Sequence, residues 1–332
     1  MEKFKVVYTD NIYRDNELEY SRFAQAGYDF RVASGHDERT LIQECADADA
    51  VMVSFAEINA NVIAAMQRCK VIIRCGMGVN NVDIPAATAK GIMVANVQKY
   101  CLEEVSDHAI ALMLTLLRKT AYMSNLLRKG QWDPAKARPI PRLGELTLSL
   151  YGLGGISSRV AAKAKAFGMR VVAFDPFLPE EYFQKMGVER MLSEDALLEE
   201  ADVLSIHLPL MVSTANIITY EKLKKMKPSA IFLNLARGGL VEEEGLIRAL
   251  REEVISGAGL DVLAEEYPSM DNPLLHMDNV IVTPHVAYYS EGSDTELRNL
   301  SIDQIIEALE QGAPRFLLNG RELEQKKQEA AV

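Results

Sequence analysis

The chain has 332 residues, enough for two domains at roughly 150 residues each, and its 48% hydrophobic and 25% charged content leaves disordered, collagen-like and coiled-coil classes without support. Lys plus Arg number 36 against 47 Asp plus Glu. The resulting net charge of −11 repels nucleic-acid phosphates and anionic lipid surfaces, so neither is expected as a partner.

From the start, short β-branched runs alternate with segments of helical period. Strands are predicted at Lys5–Tyr8, Asp29–Val32, Ala50–Val53, Val71–Arg74 and Ile92–Ala95, with helices near Asp15–Ala26, Asn59–Met66 and Ile84–Lys90 among them. Such alternation implies a parallel, doubly wound sheet. From Leu102 to Arg128 the pattern becomes one long helical stretch, and its centre, HAIALMLTLLRK, is apolar on every side, as a helix buried between domains or subunits would be. Three prolines and no periodicity make Gly130–Arg142 an ordered loop. A second alternating series follows, with strands at Leu146–Tyr151, Arg170–Phe174, Val203–His207, Ala230–Leu235, Gly257–Val262 and Val280–Thr283. A helix near Asp294–Glu310 and a charged tail, Arg321–Val332, expected to be frayed, end the chain.

Cys45, Cys69, Cys75 and Cys101 form no C-x-x-C pair, so neither a zinc cage nor a disulfide framework is suggested, and no metal-ligand spacing occurs elsewhere. The opening MEKFKVVYTDN has no basic segment followed by an apolar one, and the longest apolar run, Ala109–Leu117, is far short of a membrane span. A soluble cytoplasmic protein is expected.

After the strand Leu146–Tyr151 comes Gly152-Leu153-Gly154-Gly155-Ile156-Ser157 and then a helix-forming run. A strand, a glycine turn and a helix aim backbone amides and the positive helix end at a pyrophosphate. The next strand ends at Asp175, 21 residues beyond Gly154. A carboxylate there bonds ribose hydroxyls and repels a 2′-phosphate, which favours NAD over NADP. Ser157 stands where the fingerprint has its third glycine.

Three later stretches place polar residues beyond apolar strands: Asn234-Leu235-Ala236-Arg237-Gly238-Gly239, Leu260-Asp261-Val262-Leu263-Ala264-Glu265-Glu266, and Thr283-Pro284-His285. In a doubly wound sheet all three project from the carboxyl edge, where ligands bind. These residues and the glycine turn resemble the D-isomer-specific 2-hydroxyacid dehydrogenase family. The resemblance runs through RCGMGVNNVDIPAATAKGI, NVQKYCLEEVSDHAIALMLTLLRK, HLPL, NLARGGLVEEEGLIRAL, GLDVLAEE and TPHVAYYSEGS, in the family's order. PHVAYYSE is similar to the branch of the C-terminal binding protein corepressors and their bacterial relatives, with Tyr288 where those proteins usually have tryptophan.

The resemblance implies a flavodoxin-like substrate domain, residues 1–100 and 289–332, into which a Rossmann NAD-binding domain, residues 101–288, is inserted. It also implies a homodimer through the cofactor domain. Its catalytic arginine falls on Arg237, its glutamate on Glu266 and its histidine on His285. Because this chain reads Glu265-Glu266-Tyr267-Pro268 where the family has Glu-Glu-Pro, Glu265 stays an alternative. Reducing a 2-oxo acid needs a proton for the carbonyl oxygen, which histidine can deliver with a carboxylate beside it, and a planar cation for the substrate carboxylate, which arginine supplies. Gly152, Gly154, Gly155, Ile156, Asp175, His207, Pro209, Thr214, Ala236, Asp261, Arg237 and His285 are the candidate cofactor contacts. For Asp261 a buried orienting role is the other reading. Arg74, Met77, Gly78, Arg237 and Tyr288 are the candidate substrate contacts. The expected reaction is reversible hydride transfer between NADH and a small 2-oxo acid, such as glyoxylate or hydroxypyruvate, giving the D-2-hydroxy acid. Two alternatives are an NAD(H)-sensing, corepressor-like binding protein and a dehydrogenase of a phosphorylated acid such as 3-phosphoglycerate.

Overall fold

A computed structural model of the chain describes residues 3–10 and 15–329. The chain divides into two compact units, Met1–Tyr100 with Ser290–Val332, and Cys101–Tyr289.

The first unit opens with β1 (Lys5–Tyr8), α1 (Glu17–Gln25), β2 (Asp29–Val32), α2 (Glu38–Glu44), β3 (Ala50–Val53), α3 (Ala60–Ala65), β4 (Val71–Arg74), α4 (Ile84–Ala89) and β5 (Met93–Asn96). All pairings are parallel and the order is β2-β1-β3-β4-β5, that of flavodoxin-like sheets. β3 and β4 are buried along their whole length, which is why they read as continuous apolar runs. The helices start where short polar side chains satisfy their first amides: Asp37 accepts from Thr40 N, Asn59 from Asn61 N and Val62 N, and Asp83 from Ala86 N.

In the second unit, α5 (Leu102–Leu117) and α6 (Thr120–Arg128) lead into β6 (Thr147–Tyr151), α7 (Gly155–Ala166), β7 (Arg170–Phe174), α8 (Glu180–Met186), β8 (Glu189–Arg190), α9 (Glu194–Glu200), β9 (Val203–Ile206), α10 (Tyr220–Leu223), β10 (Ile231–Asn234), α11 (Glu243–Arg251), β11 (Gly257–Leu260) and β12 (Val280–Val282). The sheet is again parallel, ordered β12-β11-β10-β9-β6-β7-β8. The winding reverses between β6 and β9, so a crevice opens beyond the carboxyl ends of that pair. The first unit then receives α12 (Glu291–Gln311) and α13 (Gly320–Glu329).

The single helix expected over Leu102–Arg128 is two. Lys119 takes a left-handed backbone, φ 55°, where α5 ends and α6 begins. Neither glycine nor proline marks the break, so periodicity ran through it. α5 is also buried for a reason inside its own unit: it packs on β10, β11 and α7, and Gly257 and Gly259 of β11 leave room for Leu112 and Leu116. The tail expected to fray is helical to Glu329, residues 330–332 lying outside the description. Buried Asn319 explains it: Oδ1 accepts from Val94 N at 2.9 Å, and Nδ2 donates to Ile92 O at 2.9 Å and Thr88 Oγ1 at 2.8 Å. Leu323 then buries on the next turn. Among the described residues no helix is long and apolar enough to cross a membrane.

Candidate active site

The glycine turn follows β6. Gly152 has φ +89°, and a Cβ there would sit 2.8 Å from His207 O, so its conformation and its neighbour both require glycine. Gly154 caps α7, and a Cβ built on it meets nothing within 4 Å, so this stretch of backbone can be approached closely. Ser157 is fully buried, with its hydroxyl 3.3 Å from Gly154 O, while Gly155 lies against Leu102. Asp175 accepts from Leu153 N at 3.1 Å and from Phe177 N at 3.0 Å, which turns its carboxylate toward the glycine turn. Open backbone at a helix N-terminus, flanked by that carboxylate, fits the pyrophosphate and ribose of a dinucleotide.

Across the β6–β9 reversal, His207 N donates to Tyr151 O at 2.8 Å, and its ring Nε2 meets Ser205 Oγ at 2.9 Å. Burial pushes this imidazole down to about 4, so it is neutral near pH 7. Thr214 spends its hydroxyl within its own loop, donating to Pro209 O at 2.6 Å and accepting from Met211 N at 2.8 Å. It shapes the Pro209–Thr214 loop rather than presenting a donor outward.

The other strands of this half carry the ionisable groups. After β10, buried Asn234 closes a turn: Oδ1 accepts from Ala236 N at 3.0 Å and Nδ2 donates to Arg237 O at 2.9 Å. The Arg237 Nη1 donates to Ala236 O at 2.6 Å. Gly238 lies so close to the next strand's loop that a Cβ would fall 1.7 Å from Leu263 O. Glu243 holds that loop from the other side, accepting from Ala264 N at 2.7 Å and Asn272 Nδ2 at 2.8 Å.

After β12, His285 Nδ1 lies 2.6 Å from Glu266 Oε1. Of the two glutamates left open by the sequence, Glu266 therefore carries the carboxylate that meets the ring, and Tyr267 is accommodated beyond it with its side chain exposed. The His285 backbone is left-handed, φ 51°. Its amide donates to Asp261 O at 2.8 Å, and Tyr288 stands edge-on to its ring at 6.4 Å. Asp261, expected beside the cofactor, is 1% exposed. Its carboxylate accepts from Val286 N at 3.0 Å, Ala287 N at 2.9 Å and Thr283 Oγ1 at 2.5 Å, so the buried orienting role is the one its geometry fits.

In the first unit, Arg74 ends β4, its guanidinium against the Gly76 backbone and over the Phe55 ring. Asn96 Nδ2 donates to Met77 O at 2.5 Å, which steadies the Cys75–Gly78 turn. His36 and His276 are exposed, and among the described residues no cluster of His, Cys, Asp and Glu could hold a metal ion. Asn234, Gly238, Glu243 and Thr283 are contributors not singled out from the sequence. The available signal was a buried asparagine at a strand end, a residue type whose side chain completes turns.

A family model described as "D-isomer specific 2-hydroxyacid dehydrogenase, NAD binding domain" matches residues 110–287. The chain belongs to this family. The D-3-phosphoglycerate dehydrogenase of Methanocaldococcus jannaschii is 36% identical over 324 residues, 97% of this chain but 61% of that protein, so the chain spans about three fifths of this relative's length. The glycerate dehydrogenase of Methylorubrum extorquens is 36% identical over 282 residues, covering 83% of this dehydrogenase-family chain and 87% of its own. Among solved structures, D-lactate dehydrogenase from Aquifex aeolicus, complexed with NAD and lactic acid, matches with a TM-score of 0.83 and 29% identity over 92% of this chain and 96% of that one.

Proposed function

We propose that the chain is an NAD-dependent D-2-hydroxyacid dehydrogenase that interconverts a small 2-oxo acid and its 2-hydroxy acid. The observation that carries this reading is the 2.6 Å pair of His285 and Glu266 at the same sheet edge as Arg237. Glu266 accepts from Nδ1–H and so assigns Nε2 to the substrate. In reduction, the carbonyl π bond opens as Nε2 gives its proton to the oxygen. NADH supplies the hydride that the carbonyl carbon receives. In oxidation, neutral His285 takes the hydroxyl proton back. Arg237 pairs with the substrate carboxylate and polarises the carbonyl oxygen. Gly152, Gly154, Gly155 and Ile156 hold the pyrophosphate, and Asp175 the ribose, which favours NAD over NADP. His207, Pro209, Thr214 and Ala236 border the cofactor, and Tyr288 shapes the substrate side.

A homodimer formed through the second unit accompanies this reading. Its support is the surface around Leu127–Arg142, where Trp132 is 84% exposed and Leu127 also faces solvent. Four cysteines with no C-x-x-C pair among them suit a reducing compartment such as the cytoplasm.

NADH absorbance followed against glyoxylate, hydroxypyruvate, pyruvate, branched 2-oxo acids and 3-phosphohydroxypyruvate tests the activity and separates unphosphorylated from phosphorylated substrates. His285→Ala is expected to lower turnover by at least ~10²-fold. Unchanged turnover on every acid would falsify the assignment.

A further inference from the structure

His108 sits in the first half of α5, on a different element from the strand ends that carry Arg237, Glu266 and His285. Its Nε2 is 2.9 Å from Thr283 Oγ1, and that hydroxyl donates to Asp261 Oδ1 at 2.5 Å. A threonine hydroxyl has one proton. With that proton on the Asp261 carboxylate, Oγ1 can only accept from His108, so His108 carries its proton on Nε2. The imidazole is thus a donor at the end of a chain: His108 Nε2–H donates to Thr283 Oγ1, Thr283 Oγ1–H donates to the Asp261 carboxylate, and that carboxylate also accepts from the amides of Val286 and Ala287.

This chain ends on a strained segment. His285 has φ 51°, a region that residues with a side chain seldom occupy unless their surroundings hold them there. Asp261 supplies three of the holding contacts: its carbonyl takes the His285 amide at 2.8 Å, an amide it shares with Thr283 O at 3.0 Å, and its carboxylate takes the next two amides. Asp261 is itself 1% exposed, so water cannot replace a missing donor without entering the core. His108 lies 3.8 Å from Asp261 Oδ1 and orients the hydroxyl that completes this set.

We propose that His108 is a positioning residue for the reaction. Acting through Thr283 and Asp261, it fixes the left-handed backbone that aims the His285 ring at Glu266, and it touches neither substrate nor cofactor. This rests on His285 being the proton donor, and the test separates the two ideas. His108→Phe keeps the bulk and removes the donor, and His108→Gln places an amide N–H where Nε2–H stood. His108→Phe is expected to lower kcat about ten-fold or more, with KM for NADH and for the 2-oxo acid within about two-fold. His108→Gln restores kcat to within about three-fold. Thr283→Val, which cuts the chain at its middle, gives the same loss, and His108→Phe/Thr283→Val is no worse than either alone. In ¹⁵N-labelled protein, the His285 Nδ1–H resonance of the Glu266 hydrogen bond is sharp in wild type and His108→Gln and exchange-broadened in His108→Phe. Full kcat in His108→Phe, equal loss in His108→Gln, or multiplying losses in the double variant each overturn the proposal. If wild type turns over no 2-oxo acid, the proton-donor reading fails while the resonance still decides the positioning role: broadening in His108→Phe alone upholds it, and an unchanged line refutes it.

Discussion

Gly238→Ala probes whether the Arg237 turn and the loop carrying Glu266 are held in one register. The added Cβ would lie 1.7 Å from Leu263 O, 2.1 Å from Leu263 C and 2.7 Å from Ala264 N. Relaxed contact needs roughly 3.5 Å, so the two backbones must part by well over an ångström. The obstacle is main chain on both sides, not the end of a flexible side chain, and Glu243 already anchors the far side of the loop through Ala264 N. Overpacking ordinarily costs about 1–3 kcal/mol, and this contact belongs at the upper end, about 3 kcal/mol. The shift also displaces Arg237, one residue away, relative to Glu266, and misplacement of about 1 Å near reacting atoms can cost on the order of 10²-fold in rate. Urea unfolding measures the first effect and steady-state turnover the second, with NADH affinity within a few-fold because the glycine turn after β6 is untouched. Gly239→Ala is the control: its Cβ meets the end of the Leu210 side chain at 3.0 Å, which can move aside. A Gly238→Ala protein that unfolds like wild type and keeps its kcat would show that the two loops need no fixed register.

Two further outcomes follow from the glycine turn and from His207. Gly154→Ala, at a position with φ −92° and no atom near the new methyl, should change stability by no more than about 1 kcal/mol yet weaken NADH binding at least ten-fold in a fluorescence titration, and undiminished binding would place the pyrophosphate elsewhere. His207 has its folded pKa depressed to about 4 against an unfolded value near 6.5, so the unfolded chain takes up the proton first on acidification. Its contribution is intact above about pH 6.5 and lost as pH falls toward 4, at most about 3 kcal/mol. Urea melts at pH 7 and 4.5 should show a smaller drop for His207→Gln than for wild type, and equal drops would refute the enclosed neutral imidazole.

What was legible in the sequence was local. An apolar run between turn signals has few alternatives to a buried parallel strand, and once strands are parallel their far ends share an edge. That logic brought the stretches carrying Arg237, Glu265-Glu266 and His285 to one edge and Gly154 to the crevice, and the family resemblance then singled out Arg237, Glu266 and His285 within them. What was not legible depends on partners far away in the chain. The terminal helix persists because Asn319 satisfies backbone groups at Ile92 and Val94 and bonds the Thr88 hydroxyl, more than 220 residues earlier, which composition near residue 325 could not reveal. β8 has two residues, and its edge position shows only once β7 is beside it.

Asp261 shows the same limit at the site itself. As a letter after an apolar strand it was equally a ligand contact or a scaffold. The choice turned on which amides the segment after β12 would present to it, and those come from 25 and 26 residues downstream. The left-handed turn at His285 is costly in isolation, and nothing in Thr-Pro-His specifies it. Only the completed sheet places the Asp261 carboxylate where it can collect the turn's donors, while α5 brings a histidine to the back of the same carboxylate. The chemistry-bearing residues could therefore be read one strand end at a time, but the conformation that makes His285 useful is a property of three elements closed around a buried charge.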